Sequence, residues 1–220
     1  MPHGFITHFN NYRVAAAGGS APIVSQQAAS NSTGQCCGCS TNLSFSSTPP
    51  NGSLIILVIN DNTGGGIPAG FTAITGGVGA CTVCWKIAAS ETNSYQLDYN
   101  GASFADYQMI TGLVITGNKT TTPIDVSANT ANSRTTPSVT TTKSLELVLT
   151  IGGSQGNNTD YITKPTSYTA VRSDTTGFSV IGIGKQTVNA AGTVASDTWN
   201  TGSYVTSKVF TIGVLSSSSV

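Results

Sequence analysis

Charge is scarce in this chain. Asp, Glu, Lys and Arg make up 8% of its 220 residues, against about a quarter in an ordinary soluble domain, and nine basic residues balance nine acidic ones. The basic residues stand singly, so no stripe exists to neutralise successive phosphates, and nucleic-acid binding is not expected. Long apolar runs are missing as well. The longest, "LIILVI" at 54–59, is strand-sized and far below the roughly 20 residues of a spanning helix, so no membrane partner is expected. Only two histidines occur, His3 and His8, both ahead of any segment that reads as folded, which leaves a Ser-His-Asp site without its base. The carboxylates are isolated between neutral residues and predict no facing pair of the glycosidase kind. Gly64-Gly65-Gly66 opens no helix and cannot cradle a phosphate. The chain is therefore read as a non-enzyme. Its first residues, "MPHGFITHFNNYRV", have neither the basic n-region nor the apolar h-region of a secretory signal, which predicts synthesis in a cytoplasm without export.

What the chain has in quantity is Ser, Thr, Gly and Asn, interleaved with short runs of β-branched and aliphatic residues. Residues 1–48 show little periodicity and read as an extended N-terminal arm. From Pro49 the texture changes. Strands are predicted at 54–59, 71–74, 81–88, 94–99 and 107–116, then at 138–142, 145–151, 168–172, 178–184, 193–199 and 204–215. Helical spacing of apolar residues appears nowhere, which makes the chain all-β, with a β-sandwich domain over 49–220.

The two sets of strands resemble each other. "NGSLIILVI" parallels "TKSLELVLTI", "CTVCWKIAAS" parallels "FSVIGIGKQT", and "FADYQMITGLVIT" parallels "YVTSKVFTIGVLS", at an offset of about 90 to 100 residues. Two similar four-strand halves packed face to face predict a jelly-roll-like two-sheet sandwich with two Greek keys.

Read together, "NGSLIILVI…IPAGFTAI…ACTVCWKIAAS…FADYQMITGLVI…PID…TPSVTTTKSLELVLTI…YTAV" resembles a jelly-roll domain that recurs in phage virion proteins and in some secreted bacterial proteins. The likeness covers residues 49–215, about three-quarters of the chain. It rests on structural motifs: Gly112-Leu113-Val114, Pro123-Ile124-Asp125 and the Ser-Val-Thr-Thr-Thr lead-in to the second half. It implies a virion structural protein made in the host cytoplasm, most simply a capsid decoration or cement protein. Its partners would be the major capsid protein or neighbouring virion subunits, and it would form a homo-oligomer, a dimer or a trimer. Attachment would run through the arm, with Phe5, Ile6, Phe9, Tyr12 and Ile23 supplying apolar surface. The competing reading is a carbohydrate- or receptor-binding module of a tail fibre or a secreted protein, stacking sugars on Trp85 or Trp199.

The cysteines lie outside the resemblance. Cys36-x-x-Cys39 and Cys81-x-x-Cys84 have zinc-ligand spacing, with Cys37 left over. If 81–88 is a strand, however, Cys81 and Cys84 point to opposite faces. Reduced thiols, a disulfide from arm to domain and a structural zinc all remain open, with no cofactor otherwise expected.

Overall fold

The computed structural model describes residues 19–32, 40–60, 67–74, 81–98, 108–155, 163–175, 179–199 and 206–219. Among them are fourteen strands and no helix. The first seven are β1 (Ile23–Ser32), β2 (Ser40–Ser44), β3 (Leu54–Asn60), β4 (Thr72–Ala73), β5 (Cys81–Ile87), β6 (Ser94–Asp98) and β7 (Gln108–Thr116). The second seven are β8 (Ile124–Ala131), β9 (Val139–Thr141), β10 (Glu146–Gln155), β11 (Thr169–Thr175), β12 (Ser179–Val188), β13 (Gly192–Val194) and β14 (Thr206–Val214). All pair antiparallel.

One five-stranded sheet runs β1-β7-β3-β5-β4 and a second runs β8-β14-β10-β12-β11; two ribbons pair β2 with β6 and β9 with β13. Adding seven to each strand number of the first half gives the second half, ribbon included. The repeat expected between the halves is thus present in the strand order, but each half holds seven strands rather than four. Within a half the chain rolls back on itself, β1 on β7, β2 on β6, β3 on β5.

Three of these strands fall where the sequence showed no periodicity. β1 and β2 lie inside the stretch expected to be a free arm, 1–48. Instead β1 is hydrogen-bonded along its length to β7, and β2 to β6. A boundary at residue 48 therefore does not mark the start of the folded domain. β8 was likewise unforeseen. The physical reason is shared: each presents one edge or face outward, so few of its residues need be aliphatic.

Two-residue periodicity distributes the core. Leu54, Ile56 and Val58 of β3 face the other sheet and meet Leu147, Leu149 and Ile151 of β10 and Phe210, Ile212 and Val214 of β14 in one cluster. The alternate residues Ile55, Leu57 and Ile59 face outward, yet they are buried too, beneath Leu43 and Phe45 from β2 and its continuation and Tyr95 of β6. On the second sheet Val148 is covered by Val139 and Val194 of the β9–β13 ribbon. The result is four layers, ribbon on sheet on sheet on ribbon. β3 is buried at every position, which explains why "LIILVI" is continuous instead of alternating.

One polar side chain inside this stack is tied to backbone on the opposite sheet. Asn60 is fully buried, and its Nδ2 donates to the carbonyls of Ser154 (2.7 Å) and Val180 (3.1 Å), tying the end of β3 to the opposite sheet. Asn60→Ala removes that donor from both carbonyls and is expected to lower stability by about 2–3 kcal/mol. The readout is a lower urea midpoint at unchanged slope.

Candidate functional site

Of the five apolar residues expected to dock the arm, Phe5, Ile6, Phe9 and Tyr12 lie outside the described residues. Ile23 opens β1 and is 60% exposed, the most exposed large hydrophobic side chain among the described residues. It sits opposite Thr116 of β7.

Cys36 and Cys39, with Cys37, also lie outside the described residues. Cys81 and Cys84 are both buried in β5, on opposite faces as the strand period requires: Cys81 in the cluster between the sheets, Cys84 in the cluster under the ribbon. They do not converge as ligands. Burial pushes the Cys84 thiol up to about 12, so it stays protonated and acts as a small apolar side chain. Cys81 fits against Gly153, where an added Cβ would come within 2.5 Å of the Cys81 sulfur. No group of three or more His, Cys, Asp or Glu among the described residues has metal-binding geometry.

Of the two residues that the competing reading names for sugar stacking, Trp199 is closed to a ligand. Trp199 is 2% exposed, packs on Val180 and Val209, and donates its indole N–H to Thr150 Oγ1 at 3.2 Å. Trp85 packs against the inter-sheet cluster and is half-buried. A two-layer sandwich would have forced either Cys84 or Trp85 out of the core. The ribbon layer removes that conflict by covering the Cys84 face.

What the sequence did not reveal is how the carboxylates are used. Five of them serve as clasps for loops and edges. Asp197 Oδ2 accepts the Ser167 hydroxyl (2.5 Å) and amide (2.9 Å), and its Oδ1 accepts the amide of Thr198 (2.7 Å); the Ser167 bonds hold its carboxyl below the usual carboxylate range. Glu91 pairs with Lys86 at 2.7 Å and accepts the Tyr95 hydroxyl at 3.2 Å. Burial pushes Glu91 up, but Lys86, the Ala89 amide and the Tyr95 hydroxyl together outweigh it and the carboxyl ends below its ordinary value.

Asp174 joins the two sheets. Its Oδ2 accepts Thr111 Oγ1 of β7 (2.9 Å) and Arg172 Nε of β11 (2.6 Å). Beside it lies a polar cleft of about 190 Å³ between the edges of the two sheets, lined by Ala29, Ser30 and Asn31 of β1, Met109, Arg172, Asp174 and Thr175. That volume is below the several hundred Å³ of a typical small-molecule pocket.

Asp125 and Glu146 form the remaining cluster. Asp125 accepts the amide and hydroxyl of Thr142, both at 2.6 Å, and Glu146 Oε1 accepts the amide of Lys143 at 2.8 Å. Together they hold a turn that ends in Leu145 at φ 58°, a left-handed conformation unfavourable for a bulky residue. Glu146 is 0% exposed, and no donor faces its Oε2. Burial, reinforced by the adjacent Asp125 carboxylate, pushes Glu146 up to about 7, so at mildly acidic pH it keeps a proton that it can share with Asp125. Only a glycine fits opposite: a Cβ on Gly213 would stand 2.8 Å from Glu146 Oε2. Glu146 is the buried member of the pair, while Asp125 is partly exposed. The pair's chemistry is that of a proton-dependent structural link.

Compared with known proteins, the chain matches no family model, no curated protein and no solved structure.

Proposed function

We propose that this chain is a structural component of a phage virion, a capsid decoration or cement protein that binds and bridges capsid subunits. The observation that carries the reading is the use of the few carboxylates: Glu91, Asp125, Glu146, Asp174 and Asp197 are all engaged in bracing turns, loops and the seam between sheets. Charge spent this way suits a rigid building block whose surface is hydroxyl and amide. The nested strand pairing in each half supports a jelly-roll-like reading of the sandwich, and with it the resemblance to virion domains. The major capsid protein or neighbouring virion subunits are the partners, the virion is the address, and the segment before β1 together with exposed loops makes the contact. Repetition over a lattice makes a few hundred Å² of apolar contact per copy sufficient, at about 25 cal/mol per Å².

The test is a truncation placed by the fold. Deleting residues 1–18 is expected to leave the β1–β7 ladder and the thermal midpoint intact while abolishing attachment to heads. Heads that bind the truncated chain as well as the full one would overturn the attachment route. A deletion to residue 30 is uninformative, because it removes most of β1 and uncovers β7.

A further inference from the structure

The sandwich has four sheet edges, and they are not alike. β4 is two residues long. β8 carries Asp125, and β11 carries Arg172 and Asp174 with a bulge between Ala170 and Arg172. Shortness, charge and bulges are the usual guards against edge-to-edge pairing. β1 lacks most of them: it has ten residues, "IVSQQAASNS", and no charge. Its bulge lies at the start, between Val24 and Gln26, so from Gln26 to Ser32 its register against β7 is unbroken. Among the described residues no strand pairs with its other side. A row of backbone donors and acceptors is therefore set out in regular order along an extended segment.

We propose that two copies of this chain pair through β1, antiparallel about a two-fold axis, so that the first sheet runs unbroken from one copy into the other. A second copy fits for two reasons. Antiparallel pairing of a strand with itself juxtaposes like charges whenever the strand is charged, and β1 has none to juxtapose. Directly across the cleft, Arg172 and Asp174 on the edge of the other sheet are already paired with each other at 2.6 Å, so neither sets an unpaired charge against a mate. On the far side, β4 is too short and β8 carries the acidic Asp125. The inference concerns association in solution and holds whether or not the virion address is right.

Sedimentation velocity over a concentration series, combined with hydrogen–deuterium exchange, tests it. The full chain is expected to reach twice its 22.4 kDa mass as concentration rises. Exchange in the peptide covering 23–32 should then slow about tenfold or more, while 124–131 in β8 stays unchanged. Gln27→Lys, at an exposed position, puts a charge on the seam and should raise the dissociation constant about tenfold with no change in thermal midpoint. Three results would each overturn the proposal: a mass of 22.4 kDa at every concentration, a dimer whose protection appears away from β1, or a Gln27→Lys variant that associates like the parent.

Discussion

Between pH 5 and pH 8 the protein is expected to lose about 2–3 kcal/mol of stability, a fall of roughly 5–10 °C in thermal midpoint. The source is Glu146, whose carboxyl burial raises from its ordinary 4.5 to about 7, with Asp125 beside it acting in the same direction. In the unfolded chain this acid gives up its proton near 4.5; in the folded one it holds the proton until about 7. Unfolding in that window releases a proton, so stability is complete below 4.5, declines as pH rises and levels off above 7. Past that point Glu146 carries a buried charge beside Asp125, and the turn at Leu145 loses the shared proton that links the two. The carboxylates whose values are lowered, Asp197 and Glu91, behave oppositely: their contribution is lost only as pH falls below the ordinary carboxylate range. They do not mask the effect. Glu146→Gln, which places an amide N–H where the retained proton was, should flatten the profile between pH 5 and 8. A parent midpoint that is flat or rises across this window would contradict the assignment.

Gly112→Ala is expected to destabilise by about 3 kcal/mol. Gly112 lies at the centre of β7, facing the ribbon, and an added Cβ would stand 2.5 Å from Leu43 Cδ2 and 2.7 Å from Phe45 Cζ. Both side chains are buried, so their tips can move only by displacing packed neighbours. The ribbon must lift or β7 must shift, so amide exchange in β2 and β6 should quicken beyond the global change. Gly192→Ala is the matched control. Nothing lies within 4 Å of its added Cβ, and its midpoint should stay within about 0.5 kcal/mol of the parent. Equal effects at both positions would mean that the ribbon does not press on the sheet at Gly112.

The strands that pack on both faces were legible in the sequence. "LIILVI", "ELVLTI" and "SVIGIG" are strands because their side chains have apolar surface to meet above and below, and that demand is written as an aliphatic run. "IVSQQAASNS" and "IDVSANTA" carry no such mark. They are strands because β7 and β14 offer them a ladder, a fact of tertiary pairing that local propensity does not contain. The repeat was visible through β3, β5 and β7 against β10, β12 and β14, but its true length was hidden, because the missing members of each half were those polar strands. Of the ribbon strands only β2 escaped notice; β6, β9 and β13 fall on predicted strands, but nothing local marked them as pairing in separate ribbons, one of which is the layer that buries Cys84. The opposed facing of Cys81 and Cys84 followed from strand period alone. The Asp125–Glu146 pair did not: the residues are 21 positions apart in sequence, and only the placement of β8 and β10 on either side of β14 brings them together.

The central claim is that this sandwich is part of a virion surface. Immunogold electron microscopy of virus particles from the source culture, with an antibody raised to the folded domain, tests it most directly. The account predicts label distributed over the heads. Particles that carry no label on head or tail would contradict it.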